Sequence, residues 1–216
     1  MNCRTSKKRQ YIVENYEVKP DAHVQLLAGQ IIYSDAGAAI ENDYYIFEAT
    51  PKGTRKKYFI QCGMGAARDF LKLLDHKGLP LFNPLHNHGE ARQNANVREG
   101  QQGFAQNDNN TWDPTAKQLY NAIMWLIIAW GGKPGPALSS EMNSAIKYKS
   151  CAPYDDRVKR INNIIKKDRR GRTLSQMIDE FRVNNDIRDD MCDFNLLTNI
   201  IENIIDENGD HLISYF

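Results

Sequence analysis

Tyr58-Phe59-Ile60-Gln61-Cys62-Gly63-Met64-Gly65-Ala66-Ala67-Arg68 is where the chain changes its period. Up to Ile60 the aromatic and β-branched side chains make a short strand-like run. From Ala66 onward, Ala67, Phe70, Leu71, Leu73 and Leu74 recur at helical spacing until Gly78 and Pro80 stop them. Gly63 and Gly65 permit a tight strand-to-helix turn between the two patterns. The chain upstream reads as strands and most of the chain downstream reads as helices. An α+β fold is therefore expected, with an N-terminal antiparallel β-meander packed against a C-terminal helical bundle.

Towards the N-terminus, a basic arm with Arg4, Lys7, Lys8 and Arg9 precedes a loosely alternating run from Tyr11 to Val18. His23 to Tyr33, Tyr44 to Phe47 and Tyr58 to Ile60 are the further strand candidates. Lys19-Pro20-Asp21, Asp35-Ala36-Gly37 and Pro51-Lys52-Gly53 read as the turns between them. These connections are too short for parallel crossovers, which favours an antiparallel meander.

Towards the C-terminus, Leu79 to Leu85 is apolar and broken by prolines. His86 to Thr111 is rich in Asn, Gln and Gly, and long loops of this kind are usually either functional or disordered. Asp113-Pro114 supplies an N-cap and an N1 proline for a helix that runs to Trp130 and stops at Gly131-Gly132. Its second half is apolar on every face, as expected of a central core helix. Four amphipathic helices follow, marked by Leu138 and Met142, by Val158 and Ile161, by Leu174 and Met177, and by Leu197 and Ile201. Thr173 and Gln176 form a capping box for the third. Asn208-Gly209 is a turn that makes His211 to Phe216 a candidate final strand. The expected organisation is a β-rich part with one helix over residues 1–85, a polar loop over 86–112 and a helical part over 113–216, within one compact domain.

A chain of 216 residues needs no staple to hold its core. Its 41% hydrophobic and 25% charged residues argue against general disorder. Cys3, Cys62, Cys151 and Cys192 are far apart and form no CxxC, so reduced thiols are expected. The N-terminal MNCRTSKKRQ has no apolar core of a signal peptide, and the longest apolar run, Ala122 to Trp130, is too short to span a bilayer. A cytoplasmic protein with no membrane partner is the expectation. His86, His88 and Glu90 have no second ligand pair, so no metal site is assigned to them.

Three patterns carry functional meaning. The first is the quoted junction itself. Cys62 and Arg68 are separated by five residues at a strand-to-helix turn, and over these residues the sequence resembles the phosphate loop of cysteine-dependent phosphatases. That resemblance implies a Cys62 thiolate nucleophile, backbone N–H groups cradling a phosphate, and Arg68 gripping its oxygens. Asp69 and Gln61 stand where that family carries Ser or Thr and His. The second pattern is a pair of carboxylates, Asp35 and Glu48, near the ends of neighbouring predicted strands. A nuclease of the restriction-enzyme type places such a pair there to hold Mg²⁺, the only cofactor implied for this chain. Such nucleases carry a Lys two residues after the Glu, and this chain has Thr50.

The third pattern is charge. Arg157, Lys159, Arg160, Lys166, Lys167, Arg169, Arg170 and Arg172 crowd into one helix and its following turn, while Asp179 to Asp210 is acidic. The net charge of +1 hides these opposed regions. Lys159, Arg160, Lys166, Lys167, Arg169, Arg170 and Arg172 are therefore candidate contacts to a phosphate backbone, with Arg92 and Arg98 of the polar loop beside them. The alternative is that the basic helix pairs with the acidic region, within the molecule, in a protein partner or in a second copy. The sequence thus points to a nucleic-acid-associated protein, such as a non-catalytic subunit of a larger assembly. The alternative reading is a phosphoester hydrolase acting through Asp35 and Glu48 or through Cys62 and Arg68.

Overall fold

In the computed structural model, which describes residues 1–86 and 112–216, the chain opens with a helix, α1 (Ser6–Asn15). The Thr5 side chain caps it by accepting from the Lys8 N–H at 3.3 Å. Helix therefore replaces the first half of the run expected as a strand from Tyr11 to Val18. The reason is tertiary. Arg9 is buried against the carboxylate of Asp69, and Ile12 packs into the core, so a weakly amphipathic segment is held in place by its neighbours.

Three strands follow, β1 (Tyr16–Gln25), β2 (Asp43–Pro51) and β3 (Tyr58–Gly63), antiparallel and in the order β1-β2-β3. β2 is central and buried on both faces. Tyr45, Phe47 and Ala49 face α1 and α2 (Met64–Leu73), where Cys3, Ile12, Ile60, Cys62, Ala67 and Phe70 complete a core. Tyr44 and Ile46 face the opposite way, into a larger core built on the C-terminal helices. The sheet thus lies between two helical layers.

Lys19-Pro20-Asp21, expected as a turn, lies inside β1. Pro20 pairs with Phe47 and Ala22 with Ile46, so Asp21 is the extra residue of a β-bulge. Pro20 is tolerated because β1 is an edge strand. The bulge lets both Asp21 and Ala22 face the C-terminal helices. The strand expected from His23 to Tyr33 stops at Gln25, and Gly29 turns the chain at φ +88°. A single parallel bridge between Val24 and Phe82 then covers the β1 edge.

α3 (Pro114–Ala129) forms as expected, with Asp113 accepting from the N–H groups of Thr115 and Ala116 at 2.9 and 3.0 Å. Asn121 to Ile128 are all buried, each large apolar side chain contributing about 1.5–3 kcal/mol. Around it pack α4 (Pro136–Lys147), α5 (Asp155–Ile165), α6 (Leu174–Arg182) and α7 (Asn195–Glu202). The capping box of Thr173 and Gln176 opens α6. The C-terminal residues do not form the expected final strand. A lone bridge joins Ile205 to His211, and the tail beyond it is pinned by Asn162, which donates to the Ile213 carbonyl and accepts from the Tyr215 N–H. No helix among the described residues is long and apolar enough to cross a membrane.

Candidate nucleic-acid interface

The bulge on β1 brings Asp21 beside Glu48 of β2. Both are buried, at 2% and 5% exposure, and the Ser139 hydroxyl of α4 lies 3.1 Å from an oxygen of each. Asn143, one turn further along α4, donates to Asp21 Oδ1 at 2.9 Å. Lys57 and Lys19 pair with Glu48 at 2.9 and 3.4 Å. Burial pushes Glu48 up, but the ammonium groups of Lys57 and Lys19 prevail and hold it below the usual carboxylate range. Burial raises Asp21, opposed by the bonds from Asn143 and Ser139. Two carboxylates and two ammonium groups balance in charge, while Asp21 Oδ2 has no hydrogen-bond partner among the described residues.

Asp35, expected to pair with Glu48 around Mg²⁺, has other partners. It accepts from the Gln61 N–H at 2.8 Å and from Lys133 at 2.7 Å, and meets the N-terminal amine at 3.4 Å. It ties the N-terminal arm to β3 and to the α3–α4 connection. Among the described residues no three His, Cys, Asp or Glu side chains are grouped as metal ligands would be. His88 and Glu90 lie outside the described residues.

Cys62 is the penultimate residue of β3 and is fully buried, while Arg68 is exposed on α2. The Cys62 thiol is pushed far up by its hydrogen bond to Cys3 and by burial, the reverse of what a nucleophilic thiolate requires. Asp69, next to Arg68, is occupied by Arg9 and Ser6. These contacts make the junction a clamp for α1.

The basic stretch on α5 and the turn after it is partly neutralised. Arg170 and Arg172 reach Glu180 at 2.8 and 2.7 Å, and Arg172 also grips Asp168 at 2.9 Å. Arg172 holds the Asp168 carboxyl well below the usual range against burial, helped by the N–H groups of Arg172 and Arg170 and by the Trp130 indole. Arg160 pairs with Glu141 at 3.2 Å. Lys166 lies 5.9 Å from the centre of the Tyr215 ring. Lys159, Lys167 and Arg169 have no carboxylate partner among the described residues. Arg92 and Arg98 lie outside the described residues.

Two clefts flank the C-terminal end of α4. The larger, about 660 Å³, is bounded by α4 and the start of α5. Its floor carries Glu141, matched by Arg157 at 3.0 Å and by Arg160, so its charges are balanced. The exposed rings of Tyr148 and Tyr154 stand at its rim. The second cleft, about 460 Å³, is bounded by Asp21 and His23 of β1, the segment from Leu79 to Asn83, the first turns of α3, and Lys149, Arg188 and Met191. It adjoins both ends of the polar loop. Leu85 bridges Ile187 just before the loop, and the Trp112 ring just after it lies 5.1 Å from that of Tyr120, tilted at 41°.

Electrostatics set the second cleft apart. Lys117 lies 5.2 Å from the Trp112 ring centre and 5.5 Å from that of Tyr120. Burial lowers its ammonium from the usual range and the nearby Arg188 lowers it further, with Asp190 opposing. Lys117 and Lys149 have no carboxylate partner among the described residues, whereas Arg188 pairs with Asp190 at 2.7 Å. Burial pushes the Tyr120 hydroxyl up to about 12. His23 has both ring nitrogens occupied, by Asp43 at 2.5 Å and the Leu79 carbonyl at 3.1 Å, and is not available as a base. What the cleft presents is therefore cationic and aromatic: a partly desolvated ammonium, a second lysine and an arginine around two rings in tilted contact.

None of Lys117, Trp112, Tyr120, Lys149, Arg188 or Asp21 stood out in the sequence. The available signal was modest: Lys117 and Tyr120 share one face at the start of a helix whose second half is apolar, directly after a tryptophan that closes a polar loop.

The model of a family described as "Uncharacterised conserved protein UCP028583" matches residues 1–208, which include the sheet and both clefts. No curated protein and no solved structure matches the chain.

Proposed function

The chain belongs to this family, and we propose that it is a nucleic-acid-associated protein that takes a single strand into the cleft beside Trp112. The observation that carries this reading is Lys117. A half-buried ammonium beside an arginine, without a carboxylate partner among the described residues, calls for an anion, and a phosphate meets that need. Trp112 and Tyr120 next to it supply ring faces for a base, the combination of charge and stacking that sequence-tolerant strand binding uses. Lys149 extends the path, and its neighbour Tyr148 leads on to the rim of the larger cleft. The excess charge of Lys159, Lys166, Lys167 and Arg169 acts at longer range, steering a polyanion towards the clefts.

Titration with a single-stranded oligonucleotide tests this, read by quenching of tryptophan fluorescence. Binding should weaken steeply with salt, each cation in contact adding about 0.7 to the log–log slope. Lys117→Met should remove one such contact. A wild-type protein that leaves the oligonucleotide unbound at low salt ends the reading.

A further inference from the structure

Single steps of the chain divide the two clefts. Ala116 of α3 and Ala145 of α4 line the larger one, while their neighbours Lys117 and Ile146 line the second. Just beyond α4 the same division falls between Tyr148, on the larger cleft, and Lys149, on the second. A strand that leaves the second cleft past Lys149 therefore meets the Tyr148 ring next, 52% exposed. Tyr154, 82% exposed at the start of α5, lines the same larger cleft. Charge decides which part of the strand this cleft suits. Arg157 and Arg160 are matched by Glu141, and Asp155 and Asp156 occupy the first turn of α5. A phosphate gains little there, because the helix N-terminus already has its own carboxylates. Exposed rings over balanced charge suit a base, which stacks on an aromatic side chain whatever its identity.

Resting on the strand-binding reading above, we propose that the larger cleft is a charge-neutral subsite of the same track, where bases of a longer single strand stack on Tyr148 and Tyr154. The energetics of the two clefts then differ in kind. The second cleft supplies the phosphate contacts, which weaken with salt. The larger cleft adds affinity that salt barely changes, because stacking releases no counterions.

Cys151 provides the reporter. It lines the larger cleft and is exposed, whereas Cys3 and Cys62 are buried and burial pushes the half-buried Cys192 thiol up to about 11. A neutral reagent such as dithiodipyridine therefore reads Cys151 first. The test compares oligo(dT) of about three and about twelve nucleotides, with binding followed by tryptophan fluorescence. At about ten times its Kd, the longer strand should slow the Cys151 reaction about tenfold, in proportion to the protein left free. The shorter strand, at the same occupancy, should leave the rate unchanged. Tyr154→Ala removes a ring that the fold leaves exposed. It should weaken the longer strand about tenfold at an unchanged log–log salt slope, and should not affect the shorter one. A longer strand that binds yet leaves Cys151 reacting at its free rate overturns the inference and leaves the strand-binding reading standing. Undiminished affinity of Tyr154→Ala for the longer strand does the same. Equal protection by the shorter strand also overturns the inference, since that strand would already fill the larger cleft. If wild type binds neither oligonucleotide, both readings fall.

Discussion

Two groups of cations in this molecule do opposite things. Those at the end of α5 and in the following turn are concentrated in sequence, yet Arg170 and Arg172 are bound to Glu180 and Asp168 within the fold. Those of the second cleft, Lys117, Lys149 and Arg188, come from three separate parts of the chain, and two of them lack a carboxylate partner among the described residues. Density of charge in a sequence therefore also marks a place where the fold accommodates charges, as it does for Arg170 and Arg172. A few cations assembled by the fold, partly desolvated and set against aromatic rings, are better placed to hold an anion at short range. If this contrast is right, cleft substitutions should damage binding and spare stability, and substitutions after α5 should do the reverse.

The largest effect is expected from Lys117→Met with Arg188→Gln. Losing two charged contacts should weaken oligonucleotide binding about a hundredfold. The fold should hold, because Lys117 has no ion pair to lose among the described residues, methionine keeps its aliphatic stem over the rings, and the Arg188–Asp190 pair given up is solvent-exposed. Trp112→Ala should cost about tenfold in affinity, the worth of one stacked base, and should abolish most of the fluorescence response.

Arg172→Ala probes the other group. It should lower stability by about 1–2 kcal/mol at neutral pH while changing binding less than twofold. The sign of its pH dependence is fixed. The Asp168 carboxyl is depressed in the folded state, so its stabilisation is full above the ordinary carboxylate range and is lost as pH falls through the depressed value. Wild type and variant should therefore differ in denaturant unfolding at pH 7 and converge in strong acid. A difference that grows in acid would contradict the assignment. The smallest effect is expected from Lys166→Ala, Lys167→Ala and Arg169→Ala combined: a few-fold loss of affinity at low salt that disappears as salt screens their field.

Much of the fold was legible because its signals are local. Asp113-Pro114 starts α3 and Gly131 ends it, Thr173 and Gln176 cap α6, and the glycines around Met64 mark the passage from β3 to α2. Where sequence reasoning failed, tertiary contacts overrode local preference. Arg9 and Ile12 make a helix of the arm, and pairing with β2 makes a bulge of a sequence that reads as a turn. The tail after Asn208 is held by the amide of Asn162, a contact no pattern announces. The candidate site was mostly illegible for the same reason. Glu48 was singled out, but its acid neighbour is Asp21 and not Asp35, because a bulge decides which β1 residue faces α4. Cys62 and Arg68 have phosphatase spacing, but the pleat of β3 sends the thiol into the core. Lys117 gains its meaning from burial and from Arg188, far away in the chain.

The most direct test of the account compares the salt dependence of single-strand binding in three proteins. These are wild type, Lys117→Met with Arg188→Gln, and the combined Lys166, Lys167 and Arg169 alanine variant. With three cleft cations engaged, the wild-type log–log slope should be about −2, and the cleft variant should flatten it by about 1.4. The alanine variant should flatten it much less than the cleft variant does. A slope unchanged in the cleft variant and flattened in the alanine variant would contradict the account and return the binding surface to α5 and the turn that follows it.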